Sequence, residues 1–188
     1  VGTMIFNIIY WNFGFLRMGT SGFTAQAYGS KDVQEQANIL LRASFIAIAA
    51  AFLLIVFQKP IGKLSLMLIE DKNSVGALAL SYFSIRIWAA PATLGMYALK
   101  GWFIGMQDSK NPMWISIIIN ILNIAFSFIL VFYCNMSIKG VALGTVIAQY
   151  GGLITTIIIW KKKYGTIAKY FNLKKALSLE KMKLFFKV

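Results

Sequence analysis

The sequence predicts an all-α fold, a polytopic bundle of helices embedded in a membrane. Three observations carry that reading. Hydrophobic residues make up 59% of the chain and charged residues 13%, roughly half the charged share of an ordinary soluble domain. The run from Pro112 to Ile138 holds no charge for 27 residues, enough to cross a bilayer. The stretch from Ile87 to Gln107 carries only Lys100, and as a helix it reaches about 30 Å, the thickness of a hydrocarbon core.

Five spans follow in order, over about 1–27, 32–58, 74–107, 112–134 and 138–163. The first is broken only by Arg17, and Tyr28-Gly-Ser-Lys-Asp32 closes it with a turn in which Ser30 or Asp32 caps the next helix. The second is centred on Ile46–Val56, with Arg42 near its end, where a long stem snorkels to water. Lys59-Pro60 through Lys72 forms a polar connection with room for a short interfacial helix. In the third, Arg86 and Asp108/Lys110 fall at the two water interfaces, with Trp88 and Trp102 as anchors beside them. Pro91 removes one helix donor there and kinks the span. Asn111-Pro112 opens the fourth, since proline suits a first helical turn. The fifth runs from Gly140 to Trp160 and stops at Lys161-Lys162-Lys163.

Beyond Thr166 the pattern becomes Lys-rich, with Tyr170, Leu173, Leu177 and Leu184 as a partial apolar stripe. That predicts an amphipathic helix lying on the membrane surface. The chain thus divides into a transmembrane lobe over 1–165 and a basic segment over 166–188. Val1 already stands inside an apolar run, so the chain reads as a fragment of a longer protein.

Net charge is +13, and nine of the 19 basic residues lie between Lys161 and Lys187. Beside so many apolar spans, this is the cytoplasmic lysine excess that orients membrane proteins. No nucleic-acid module accompanies it, so nucleic acid is not an expected partner and membrane lipid is. Alternating the spans gathers eleven lysines on the side of the tail against four on the other. The expectation is a multi-pass protein of the inner or plasma membrane, with its C-terminal tail cytoplasmic. The single Cys134 excludes an internal disulfide. The chain has no histidine, which removes histidine metal sites, Ser-His-Asp triads and histidine proton relays. With no nucleophile-base pair, metal cluster or phosphate loop, an enzyme is not expected, and neither is a cofactor.

Polar residues within spans are costly and each needs a reason. Asn120, Asn123 and Ser127 recur at i, i+3 and i+7 on one face of the fourth span. Two readings stand, interhelical packing bonds or the polar lining of a pathway. Gly140, Gly144, Ala148 and Gly152 form a small-residue ridge for close helix contact. Opposite that ridge, Thr145 and Gln149 offer polar groups to an interior. Arg17 is either a snorkelling arginine or half of a buried pair. The acids Asp32, Glu35, Glu70, Asp71, Asp108 and Glu180 all read as loop, interface or tail, so a buried partner for Arg17 would lie outside this chain.

Three segments also resemble a known family. Phe15-Leu-Arg-Met-Gly-Thr-Ser-Gly-Phe-Thr-Ala-Gln-Ala-Tyr-Gly29 is similar to the second-helix signature of multidrug and toxic-compound extrusion (MATE) transporters, nearest their DinF-like branch. Tyr82–Ile87, Pro91 and Gly101-Trp-Phe-Ile-Gly-Met-Gln-Asp-Ser-Lys-Asn-Pro-Met113 resemble the fourth helix and the turn after it. Lys139-Gly-Val-Ala-Leu-Gly-Thr-Val-Ile-Ala-Gln-Tyr150 resembles the sixth. The resemblance implies helices two to six of a transporter of about twelve helices in two lobes, without its first helix and second lobe, and with the basic tail as the link between lobes. It implies antiport of organic cations and other xenobiotics against H+ or Na+, by alternating access.

The resemblance also assigns roles. A coupling-ion cluster would include Asn123 and Thr145, with Tyr82 lining the same cavity; the polar pattern of the spans adds Ser127 as a further group that would ligand or position the ion, and Asn120 and Gln149 on the pathway. Ser127 stands where DinF-like relatives carry an aspartate, and a hydroxyl cannot exchange a proton near neutral pH. Pro91 would help a helix bend during gating, and Arg17 would be structural. A lipid-linked saccharide flippase of the same superfamily is the alternative cargo class, which a cavity lined by several Arg or Lys would favour. A non-transporting truncated membrane protein is the third.

Overall fold

The computed structural model describes residues 2–67 and 75–178 together with Lys181, Met182 and Phe185. Among these the regular structure is entirely helical. Helices α1 (Gly2–Asn12) and α2 (Gly14–Gly29) are followed by α3 (Val33–Val56) and the short α4 (Gln58–Met67). After them come α5 (Val75–Arg86), α6 (Ala90–Gly105), α7 (Lys110–Phe128), α8 (Ser137–Tyr164) and α9 (Leu173–Ala176).

By length and composition, four helices among the described residues suffice to cross a membrane: Val33–Val56, Gly76–Gly105, Lys110–Tyr133 and Ser137–Tyr170. The first expected span, 1–27, instead comes as α1 and α2, each shorter than a span. Phe13 separates them, and tightened bonds close the break: Phe13 N donates to Tyr10 O and Leu16 N to Phe13 O. Asn12 bonds back to Ile8 O at 2.8 Å, and Gly14 follows at once. An asparagine that competes for backbone acceptors and a glycine without side-chain support weaken the helix there.

Local signals fix most other boundaries. The Asp32 carboxylate accepts from Glu35 N at 2.9 Å and caps α3. The third expected span divides at a 3-10 turn, Ile87–Ala89, after which α6 begins with Pro91 in its first turn. Proline there costs no intrahelical bond. Pro112 likewise sits in the first turn of α7. The C-terminal end of α7 widens into a π-helical turn, Ile129–Tyr133.

Helix α6 is the hub. Glycines at Gly101 and Gly105 let α2 approach so closely that an added Cβ at Gly101 would stand 2.6 Å from Arg17 O. At Gly105 it would stand 2.5 Å from Thr24 Cβ. The expected ridge on α8 packs the same way against α7, with an added Cβ at Gly144 2.7 Å from Ser127 N and one at Gly152 2.3 Å from Ile119 Cγ1. Close backbone approach is how helices associate where lipid offers no hydrophobic drive. Only 11% of the apolar window of α7 is buried, and Ile121, Ile124 and Phe128 are exposed. Such a face suits hydrocarbon or a further helix layer.

Two expected interfacial residues lie in the core. Trp102 is fully buried, donates from Nε1 to Gln36 O at 2.9 Å and packs against Phe103 and Tyr164; the other expected anchor, Trp88, is exposed. Arg42 does not snorkel. It is buried beneath the chain's C-terminal segment, with Nε donating to Ala176 O at 2.8 Å and Nη2 3.4 Å from the Glu35 carboxylate.

Over residues 165–176 the expected surface helix is a 3-10 turn, Gly165–Tyr170, followed by the four-residue α9; further along, Lys181, Met182 and Phe185 are helical. Tyr170 and Leu173 point outward, while Ile167, Ala176 and Phe185 face the bundle. Tighter winding at 165–170 breaks the period on which the predicted stripe depends. Asn172 N donates to Asn38 Oδ1 at 3.1 Å, Lys181 pairs with Glu35 at 2.6 Å, and the Phe185 ring lies against Phe23. The segment is thereby tied down across α2 and α3. Leu184, Glu70, Asp71 and Glu180 lie outside the described residues.

Candidate functional site

Where α5 gives way to α6, a cavity of about 480 Å³ opens between α1, α6, α7 and α8. The 3-10 turn places Ala89 on its wall, and one face of α6 supplies Thr93, Met96, Tyr97 and Lys100. Those positions recur at three- and four-residue steps, the spacing of a single helix face. Tyr10 and Trp11 close the α1 side, and Asn120 and Gln149 project from α7 and α8. Tyr10 and Tyr97 meet edge to face with ring centroids 6.5 Å apart.

Arg86 is half-buried and lines the cavity. Its guanidinium lies 5.0 Å from the Phe6 ring centroid and 5.6 Å from that of Tyr82, and it donates to the Tyr82 hydroxyl. Stacking on aromatic faces compensates a guanidinium for part of the water it loses. Lys100, also half-buried, donates from Nζ to Ser116 Oγ at 3.0 Å, and that hydroxyl donates on to Pro112 O at 2.8 Å. No carboxylate lines the cavity among the described residues.

Next to the cavity, Asn123 Nδ2 donates to Thr145 Oγ1 at 3.0 Å, and the threonine hydroxyl donates to Val141 O at 2.9 Å. Asn123 follows Asn120 by one turn on α7, and Thr145 precedes Gln149 by one turn on α8. The pair therefore links the two helices one turn from the cavity's neutral polar groups. Ser127, a further turn along, has its Oγ buried against Gly144 without a hydrogen-bond partner among the described residues. The polar stripe of α7 thus separates into a cavity position, an interhelical bond and a packing position. Tyr82 sits with Arg86, not with the Asn123–Thr145 pair. Arg17 is exposed and makes no ion pair among the described residues.

A second polar cluster ties the end of α6 to the end of α8. Asp108, 7% exposed, accepts from Asn111 Nδ2 at 2.6 Å, Lys163 Nζ at 2.8 Å and Tyr164 Oη at 2.9 Å. Burial pushes its carboxyl up, but the hydrogen bonds from Lys163, Tyr164 and Asn111 outweigh that and hold it below the usual carboxylate range.

The helical fold has counterparts among known proteins. The MatE family model matches residues 1–129. This chain belongs to the MATE family. The MATE chain is 35% identical over 162 residues to DNA damage-inducible protein F of Escherichia coli (strain K12), covering 86% of this chain and 35% of that protein. Its fold is similar to the inward-facing conformation of a multidrug resistance MATE family transporter of the MOP superfamily. That match has a TM-score of 0.82 at 18% identity, over 93% of this chain and 40% of the other. The outward-facing conformation of such a transporter matches with a TM-score of 0.79 at 17% identity, over 97% and 41%. The chain therefore spans about a third of the curated relative's length.

The MATE lobe contains functional candidates that sequence reasoning missed. Arg86 lies within the 74–107 stretch, immediately before the Ile87–Gln107 run. Lys100 was visible as the lone charge of Ile87–Gln107, and a lone charge at membrane depth is itself a signal of function.

Proposed function

We propose that this lobe forms part of a secondary active transporter that exports drugs or other xenobiotics in exchange for H+ or Na+ by alternating access. The observation that carries the proposal is the polar cavity beside the 3-10 break between α5 and α6. A binding site at a discontinuous helix between packed helices is the arrangement secondary transporters use. Asn123 and Thr145 position the coupling ion, Asn120 and Gln149 lie on the cargo path, and Pro91 opens the helix that bends. Ion binding shifts the balance of inward- and outward-open states only through unequal affinity for them. A first helix and a second lobe complete the transporter, with residues 166–188 as the cytoplasmic link, in the inner or plasma membrane. The cations Arg86 and Lys100 give the flippase alternative a specific foothold, because a lipid-linked saccharide carries phosphate.

The test is ion-driven efflux by the full-length transporter in proteoliposomes. The expected result is export under an imposed H+ or Na+ gradient, with Thr145→Val raising the ion concentration needed for half-maximal rate. Absence of gradient-dependent export of any cargo refutes the proposal.

A further inference from the structure

We infer that the cavity binds an organic anion, whose carboxylate or phosphate is held by Lys100 or Arg86 and whose apolar body lies on Tyr10, Tyr97 and Met96. This deepens the transport reading above and rests on it. Four observations support it. The cavity wall carries two cations and, among the described residues, no carboxylate. Each cation is positioned but not neutralised: Lys100 donates to the neutral Ser116 hydroxyl, and Arg86 to the neutral Tyr82 hydroxyl. An ammonium has three donors and a guanidinium five, so both keep donors for a ligand. Beside its polar groups the same wall carries Tyr97, Tyr10 and Met96, which offer aromatic and apolar surface.

A cleft lined by one sign of charge, with low-dielectric walls, focuses its field and concentrates the opposite sign inside. Removing charge from water is costly, and a bound counter-charge offsets the cost. An organic cation would meet the same field as repulsion.

The experiment uses the purified full-length transporter that carries this lobe and equilibrium binding of three probes: carboxyfluorescein, farnesyl diphosphate by competition, and the cation rhodamine 6G. We expect charge-dependent binding of at least one anion and weak binding of rhodamine 6G. Carboxyfluorescein binding marks a soluble organic anion as cargo, and farnesyl diphosphate binding marks a lipid-linked phosphate. Lys100→Gln or Arg86→Gln should weaken the anion by about 10-fold or more, the value of a charged hydrogen bond. Lys100→Arg should retain binding, and an unchanged melting temperature in Lys100→Gln separates binding from folding. Preferential binding of rhodamine 6G, or anion affinity unchanged in both glutamine variants, overturns the inference. Ion-driven export of rhodamine 6G without anion binding would overturn it while leaving the transport reading intact.

Discussion

The α2–α6 seam allows a quantitative test at Gly105. A methyl group there would stand 2.5 Å from Thr24 Cβ and 2.7 Å from Ser21 O. One of these neighbours is backbone and the other a Cβ, so rotamer change relieves neither. To restore ordinary contact near 3.4 Å, α2 must retreat by about 0.9 Å. A gap of that size forfeits a quarter to a half of each contact's attraction along the seam, and overpacking of this kind costs about 1–3 kcal/mol. Alanine's helix propensity returns about 1 kcal/mol, which leaves a net loss of about 0–2 kcal/mol.

Gly101 faces the same helix, with its Cβ position 2.6 Å from Arg17 O. Once α2 has moved for one methyl it has largely moved for both, so Gly101→Ala and Gly105→Ala should be clearly sub-additive in a double-mutant cycle. Gly22, on α2 with nothing within 4 Å, is the control. There Gly22→Ala should leave stability unchanged or raised. Thermal unfolding in detergent reads all four variants. Full additivity, or stabilisation by Gly105→Ala equal to that at Gly22, would refute the close-approach account.

Three further outcomes follow from the polar clusters. Asp108→Asn should lower stability on the order of 1 kcal/mol near neutral pH. Because the folded carboxyl is depressed, its contribution is full above the ordinary carboxylate range and fades as pH falls through the lowered folded value. Acidification from pH 7 to pH 3 should therefore cost the parent more melting temperature than the Asn variant. Arg42→Met removes the donor to Ala176 O while Glu35 keeps Lys181; the tail should become more trypsin-sensitive, at a cost of about 1–3 kcal/mol. Ser127→Asp puts a carboxyl into the buried position beside Gly144, where burial favours the neutral form. Cargo binding should then become more pH-dependent than in the parent, and identical binding curves across pH would count against that.

What could be read from the chain depended on how local the signal was. Uncharged runs and Pro112 marked helices, because hydrocarbon rejects charge whatever the tertiary contacts. Asp32 announced a cap through its three-residue reach to Glu35. The break at Phe13 was missed because Asn12 and Gly14 are individually tolerable in a membrane helix and matter only side by side. Gly101 and Gly105 were visible as part of a family motif, but their role needs the facing backbone of α2. Asn123 and Thr145 are 22 residues apart in sequence and 3.0 Å apart in space, a pairing that only the α7–α8 packing reveals. That Arg86 lines the cavity could not be read from the chain, because counting residues along a span does not show which way a side chain turns at a break. The tail's buried side was misjudged because a 3-10 turn rotates the residues after it out of phase with an α-helical wheel.

The widened turn at Ile129–Tyr133 acts as a spare residue. Each residue of an α-helix advances the chain by about 100°, so a deletion within Lys110–Phe128 would swing all that follows to a new bearing. A five-residue turn can give up one residue and wind back to ordinary pitch, sparing the Gly140–Gly152 contact downstream. Length changes in this stretch of homologous chains should therefore gather at that single turn.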